Sequence, residues 1–575
     1  MIGTIGTRST SLALRSRLFP TAKLLHPRHF ASDNPGEKPI SLWYPIVGGL
    51  VITIGGGIKW WHDHVGGPEG LKRSAHFYSY AIPKYLVYRY HVWRKSPDEV
   101  WEALDNDTSK GGLKKIQDLR GFYIKAGQMA AANVGDGFPE IWQKTMSVLQ
   151  DQCPEEDFET IKAIVSKELD FDSVFATFEE RPIGAASIGQ VHRATLKDGT
   201  RVVVKVMYPS AEELLRGDVR TIKAFAQIAQ PVHVPALEQI EVQYMEEFDY
   251  RAEAKHLATV RDNLIAAGLA GKDAVANQKL CLVPKPYLDL CTKRVLVMEE
   301  LLGDKLADAL KQEQKALANR TGESVEAFTK RIKAEEEEAK AKGEQLHGPS
   351  SSDYDLLISV LDSKRKTTNA LRMLYNTTIG LLPGTTKKEL EDKSTLPINH
   401  AKMIDDLIYI HGHEVLVDGY FNGDPHPGNI LLVRGQDGRP GLGLIDYGST
   451  KQLSKEKRHL FCKLVIALAN EDREAIVSLM KEAGWKSKRM DPNVIYLFAK
   501  VSYDEDNYKL TEGMHIQLFV EELQARDPIN EMPKDFIMIY QTSIRLRGLA
   551  HALHQPRSLA KAWKPIAERV LREDL

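Results

Sequence analysis

The apolar pattern changes character along the chain. From Pro39 to Ile58, twenty successive positions carry no charge. Coiled as a helix, about 20 residues span about 30 Å, the thickness of a bilayer core. Trp43 and Tyr44 stand near one end and Trp60 and Trp61 at the other, as aromatic residues do at membrane boundaries. The pattern predicts one transmembrane helix over residues 39–61. Its five glycines leave a buried core helix as the alternative. Residues 62–110, aromatic and basic, read as a helical linker. Further on, the β-branched run Thr200–Met207 follows the turn Lys197-Asp198-Gly199 and predicts a strand. Arg294–Glu299, Ile430–Val433 and Leu442–Ile445 predict three more. Residues 304–400 differ again: Ala309–Lys342 is charged and helix-forming, and Gly348–Asp353 reads as a break. This insertion is either a solvated hairpin or a docking element for a protein partner. The sequons at Asn319 and Asn376 are read as carrying no message.

Composition narrows the class. The 575 residues hold 77 Lys+Arg against 78 Asp+Glu, so no excess of positive charge points to nucleic acid. With 43% hydrophobic and 27% charged residues, the chain is globular rather than disordered. Its length allows two to four structural units. Four scattered cysteines without a Cys-x-x-Cys pair exclude a disulfide framework and a cysteine zinc site. Residues 1–32 contain no acid but carry Arg8, Arg15, Arg17, Lys23 and Arg28, the composition of an organelle transit peptide. Arg28-His29-Phe30-Ala31 resembles a mitochondrial processing site, with the transit peptide covering residues 1–30. A basic arm of no special meaning is the alternative.

The strands frame a phosphoryl-transfer order of parts. Before the first lies Pro182–Gln190, a loop of small side chains (Gly184, Ala185, Ala186, Ser187) that lets backbone N–H groups approach phosphates. Lys205 sits on the strand, placed to hold phosphate oxygens. Glu299 opens a candidate adenine-side hinge. Asp424 and Asn429 are five apart, the spacing of a kinase catalytic loop, and Asp446-Tyr447-Gly448 follows a strand–turn–strand, where a metal-binding Asp belongs. Asp424 reads as the residue that orients or deprotonates an acceptor hydroxyl. Asn429 and Asp446 read as oxygen ligands for Mg²⁺. Each element is weak alone; their order is what carries the reading.

These residues resemble the UbiB, or aarF-domain-containing, atypical kinase-like family. Lys125-Ala126-Gly127-Gln128 matches its Lys-x-Gly-Gln signature on a helix-forming extension, Gly112–Val134. Ala185–Ala194 (AASIGQVHRA) matches its Ala-rich loop, and Glu247–Ala254 (EFDYRAEA) its acidic helix. By that match Glu247 pairs with Lys205, Glu253 is a second acid at the site, and Lys125 and Gln128 face the nucleotide. The chain departs from the family at Gly184, where an alanine is usual, and at Asn422-Gly423, where His-Ala is common; Asn422 is not an acid/base group.

The resemblance implies an α+β, bilobal protein-kinase-like fold with a helical extension over the active site, preceded by the transmembrane helix. Its divisions are 111–180 for the extension, 181–303 for the N-lobe, 304–400 for the insertion and 401–575 for the C-lobe. It implies ATP and Mg²⁺ as cofactors, a mitochondrial inner-membrane location, membrane lipids with coenzyme Q or its precursors as partners, and a role in coenzyme Q biosynthesis or distribution and lipid homeostasis. Two other readings compete. A small-molecule phosphotransferase of the aminoglycoside or choline kinase type shares the Gly423–Asn429 pattern but lacks the Lys-x-Gly-Gln helix. A non-enzymatic lipid-binding scaffold would not need Lys205, Asp424, Asn429 and Asp446 intact.

Overall fold

The computed structural model describes residues 67–575 apart from 95, 132–139, 152–153, 187, 210, 230–244, 246–247, 273–278, 382–384, 392–395, 435–439, 506 and 515. The transit peptide and the uncharged stretch 39–61 lie outside the described residues. Among the described residues, no helix is long and apolar enough to cross a membrane. The chain forms two compact units. One runs to Gly199 and takes Val204–Phe248; the other takes Thr200–Val203 and Asp249–Leu575. The residues expected to form the N-lobe are thus shared between them.

The first unit begins with α1 (Gly67–Arg94) and α2 (Asp98–Leu119), then α3 (Phe122–Ala131), which carries the Lys-x-Gly-Gln signature. The sequence reads as one helix-forming extension from Gly112; the chain instead breaks between α2 and α3, where Arg120 and Gly121 both take φ 55°. That left-handed corner costs a non-glycine residue conformational energy. Buried bonds offset it. Arg73 on α1 grips Asp218 through Nε and Nη2, at 2.9 and 2.6 Å. Asp218 belongs to α4 (Ala211–Ala229) and also accepts from the backbone of Phe122, just past the corner. Burial holds the Asp218 carboxyl up at about 6, with the guanidinium opposing. Phe122, Tyr123 and Ile124 are buried. Strands β1 (Phe175–Phe178), β2 (Gly184–Ala185) and β3 (Gly189–Leu196) follow, β3 antiparallel to both others. β3 also runs beside β4 (Arg201–Met207), the expected lysine strand.

In the second unit the first residues of β4 meet β5 (Val295–Glu299): Glu300 N–H donates to the Arg201 carbonyl, and the two side chains form an ion pair at 2.8 Å. Helix α5 (Tyr250–Ala266) precedes β5 and is N-capped by Asp249, whose carboxylate accepts from Arg251 N–H. Among the described residues the insertion holds three α-helices, α6 (Leu306–Thr321), α7 (Val325–Ala341) and α8 (Ser351–Thr377). Gly348–Asp353 is only partly a break, because Ser350 and Asp353 form a reciprocal capping box that opens α8. Then come α9 (His400–His413), a wide helical turn at Glu414–Asp418, β6 (Tyr420–Asn422), β7 (Ile430–Arg434), β8 (Pro440–Leu444) and β9 (Thr450–Gln452). The remainder is mostly helical, with one short strand pair (Lys486–Ser487 with Ile529–Glu531), and is apolar at its centre, where Phe461, Phe536 and Trp563 are buried together. Two of its helices bear on the site: α10 (Ile537–Ala552) and the last, α11 (Leu559–Glu573). Trp563 on α11 donates to the Ile408 carbonyl on α9 at 2.8 Å, fixing the helix that leads into the wide turn.

Candidate active site

Two strand pairs bring the predicted catalytic and metal residues together. β7 and β8 pair antiparallel with Ile430 opposite Leu444, so Asn429 and Ile445 adjoin at the open end of the hairpin. Ile445 N–H donates to the Asn429 carbonyl at 3.2 Å, and Asp446 comes next. β6 pairs with β9, Asn422 opposite Thr450. Between these pairs, Asn422 acts as a bolt. Its Nδ2 donates to the Asp446 carbonyl and its Oδ1 accepts from Asp424 N–H, both at 2.8 Å. The catalytic loop and the metal-binding turn are therefore held by one buried amide.

The loop itself has little freedom. Pro425 and Pro427 flank His426, whose Nδ1 accepts from Gly428 N–H at 3.1 Å. Gly423 N–H donates to the Ser449 carbonyl at 2.8 Å. A Cβ on Gly423 would stand 2.4 Å from Met538 Cγ, so the helix α10 packs where the alanine of the family pattern would project. From the same helix, Arg545 reaches back. Its Nε lies 3.1 Å from Asp424 Oδ1 and its Nη1 donates to the Gly423 carbonyl at 2.5 Å.

Asp446 Oδ1 accepts from Gly448 N–H at 2.9 Å. Glu253, one turn into α5 and 6% exposed, stands across Gly448: a Cβ there would be 3.3 Å from Asp446 Oδ1 and 3.7 Å from Glu253 Oε2. Two carboxylates thus converge on one glycine, beside Asn429. These hard oxygen donors suit Mg²⁺ and not a thiophilic metal. The set is an amide and two acids, and no cluster of three or more His, Cys, Asp or Glu ligands occurs among the described residues.

Beneath the turn lies a group the sequence did not single out. Glu414, fully buried at the start of the wide turn, accepts from the Tyr447 hydroxyl at 3.1 Å and from Asn422 N–H at 3.5 Å. Burial pushes its carboxyl up to about 8, against the Tyr447 bond that lowers it. A wide turn between α9 and β6 is the local signal, since such turns gather at functional sites, but it is legible only in the backbone.

The remaining predicted residues are placed within their own units. Lys205 is half-buried on β4, in the part grouped with the first unit. Gly184 and Ala185 pair with Val191 and Gln190, and Ala186 N–H closes a tight hairpin onto the Gly189 carbonyl at 2.7 Å. Ser187 and Glu247 lie outside the described residues. The acidic helix starts only at Tyr250. Glu299 accepts from Lys285 N–H at 3.2 Å. Lys125 lies on α3, and Gln128 donates from Nε2 to the Leu149 carbonyl at 2.8 Å. Gln190, from the Ala-rich motif, clamps the same stretch of chain: its amide exchanges two bonds with the backbone of Glu156, at 2.8 and 3.2 Å. Both signature glutamines thus grip the backbone between Leu149 and Glu156. Gly127 is needed there too, because a Cβ would lie 2.4 Å from Leu149 Cδ1.

An Asp-x-x-x-x-Asn loop and an Asp-Tyr-Gly turn held together by one buried amide fit the atypical kinase-like class. Residues 148–336 and 367–480 match the ABC1 atypical kinase-like domain, and the chain belongs to that family. It is 25% identical over 476 residues to a Clostridium pasteurianum protein described as uncharacterized, in the hydrogenase 1 5′ region, covering 80% of this chain and 71% of that one. It is 23% identical over 482 residues to AarF domain-containing protein kinase 1 of Gallus gallus, covering 79% and 74%. It is 22% identical over 473 residues to the probable protein kinase UbiB of Pseudomonas aeruginosa, covering 80% and 71%. A solved structure, Rv3197 with erythromycin from Mycobacterium tuberculosis, aligns with a TM-score of 0.37 at 18% identity, over 81% of this chain and 97% of that one.

Proposed function

We propose that this chain is a Mg²⁺-dependent, ATP-binding atypical kinase or ATPase of the mitochondrial inner membrane, supporting coenzyme Q biosynthesis or distribution and lipid homeostasis. The observation that carries the enzymatic part is the convergence of Asp424, Asn429, Asp446 and Glu253 on loops bolted by Asn422. Asn429 and Asp446 would hold Mg²⁺, with Glu253 adding negative charge. The bound ion would neutralise phosphate oxygens. Asp424, oriented by Arg545, accepts the proton of an acceptor hydroxyl or water. From the family resemblance, Lys205 and the small-residue loop that begins at Gly184 are assigned to the nucleotide phosphates. The same resemblance assigns Lys125 to the nucleotide, as a positive charge that ordinary kinases lack.

The membrane part is supported by the uncharged stretch 39–58, the acid-free start of the chain and an apolar row on α1. Ile82, Leu86, Tyr90 and Trp93 recur at helical spacing and are 45, 59, 50 and 77% exposed. The coenzyme Q role is carried over from the family resemblance. The test is Mg²⁺-dependent ATP turnover by the purified chain, with and without vesicles carrying coenzyme Q precursors. Turnover that Asp446→Asn abolishes supports the reading. No turnover and no Mg²⁺-nucleotide stabilisation of the fold would overturn it.

A further inference from the structure

Glu414 is fully buried, and the hydrogen bonds it accepts come from the two loops of the site: from the Tyr447 hydroxyl at 3.1 Å and from Asn422 N–H at 3.5 Å. A carboxyl taken out of water loses solvation that only its contacts replace. The wide turn sets its place. Gly419, at φ 63°, donates its N–H to the Glu414 carbonyl and closes the turn, and Arg458 from a later helix donates to the Val417 carbonyl within it. The backbone that carries Glu414 is thus fixed before the loops of the site begin.

Tyr447 is the inward member of the turn Asp446-Tyr447-Gly448. It is 1% exposed, while Asp446 and Gly448 on either side are half-buried. Its carbonyl accepts from Thr450 Oγ1 at 2.8 Å. A phenylalanine would fill the same space with its ring; the hydroxyl adds one directed bond, and Glu414 receives it. Adjacent side chains in a tight turn share one backbone, so a ring held at its far end limits how the Asp446 carboxylate can swing. That carboxylate lies against Gly448: Oδ1 accepts from Gly448 N–H at 2.9 Å, and Glu253 stands across the same glycine. We infer that Glu414 is a positioning residue: its grip on the Tyr447 hydroxyl holds the Asp446 carboxylate at Gly448, the orientation proposed to bind Mg²⁺. This rests on the Mg²⁺ reading above and adds to it the residue that aims the acid.

The test compares the full chain with three variants. Glu414→Leu removes the acceptor and keeps the bulk, Glu414→Gln keeps an oxygen for the hydroxyl, and Tyr447→Phe removes the hydroxyl alone. Without ligand, hydrogen exchange at Gly448 N–H reports whether Asp446 still covers it. Expected is exchange about tenfold faster in Glu414→Leu and Tyr447→Phe, the scale of one lost buried hydrogen bond, with Glu414→Gln returning toward the parent. With ATP present, the Mg²⁺ concentration at half of the Mg²⁺-dependent rise in melting temperature should increase about tenfold in the same two variants, as when a group behind a metal ligand is lost, and much less in Glu414→Gln. Tyr447→Phe stands in should Glu414→Leu fail to fold. Variants that melt lower but keep the parent's Mg²⁺ midpoint, or the parent's Gly448 exchange, would make Glu414 a packing residue only; the inference falls and the Mg²⁺ reading stands. A parent whose melting does not respond to Mg²⁺ with ATP overturns both.

Discussion

Arg545 Nε stands 3.1 Å from Asp424 Oδ1, joining the carboxylate of the Asp-x-x-x-x-Asn loop to a helix more than a hundred residues later in the chain. Its second bond, to the Gly423 carbonyl, fixes the guanidinium plane, so Asp424 has one preferred direction. Both side chains are about one-third exposed, which leaves the pair at the edge of the site and not in its core. Arg545 is therefore a positioning residue. Arg545→Ala is expected to lower ATP turnover about 10- to 100-fold, the scale of a misdirected catalytic group. KM for ATP should change little, because the partners of Arg545 are Asp424 and the Gly423 carbonyl. Arg545→Lys keeps the charge, loses the fork and should recover part of the rate. Steady-state kinetics of the three chains decide it, and equal kcat values would remove Arg545 from the chemistry.

Asp446 and Glu253 are the carboxylates proposed above for the Mg²⁺ side of the site. The parent should melt higher with Mg²⁺-nucleotide than with nucleotide alone, because a ligand that binds only the folded state stabilises it. Asp446→Asn should erase that increment, and Glu253→Gln should shrink it. Differential scanning fluorimetry across a Mg²⁺ titration is the measurement. An undiminished increment in Asp446→Asn would place the ion elsewhere.

Glu414 gives a pH signature to stability. Its carboxyl titrates near 8 in the folded chain against 4.5 for the free group, chiefly through burial. Between those values the folded chain holds a proton that the unfolded chain has released. The contribution is whole below the unfolded value and is lost as pH rises through the folded one. Glu414→Gln removes this group from titration. The melting temperature of the variant relative to the parent should therefore climb as pH is raised from 6 toward 9. A difference that is flat over that span would show that Glu414 is already ionised at neutral pH.

Gln190 predicts a structural cost at a signature residue. Its buried amide satisfies both backbone groups of Glu156 and touches His192 Nε2 at 3.0 Å. Gln190→Leu keeps the bulk and strands those polar atoms. A loss of about 1–3 kcal/mol is expected, the cost of leaving a buried polar group unpaired. Urea unfolding gives the number. A loss below about 0.5 kcal/mol would make the contact incidental, as at an ordinary surface site.

Gly127 should be intolerant of even one methyl group. In Gly127→Ala the new Cβ meets Leu149, which is fully buried, and Ile116 stands 3.3 Å away. Overpacking of that kind costs about 1–3 kcal/mol. The clash is with one side chain, so Leu149→Ala in the same chain should make the second substitution cheaper than it is alone. Simple additivity in that double-mutant cycle would show that the helix relaxes by another route.

Much of this protein is local in origin and so legible in one dimension. The strand of Lys205 announces itself by a β-branched run after a turn. The catalytic loop is written as Asp-x-x-x-x-Asn, and the family resemblance found in those residues holds. What tertiary structure alone decided is the set of partners. Nothing near Arg545 marks it for Asp424, since the pairing depends on how α10 packs over Gly423. Glu414 reads as one acid among many until burial beneath Tyr447 changes its proton affinity. Asn376 reads as an unused sequon, and folding makes it a clamp on Lys388. The corner at Arg120-Gly121 likewise escaped the sequence, where helix propensity runs on from Gly112. Propensity and spacing act between neighbours in the chain, whereas desolvation, ion pairing and close packing act between residues that only the completed fold brings together.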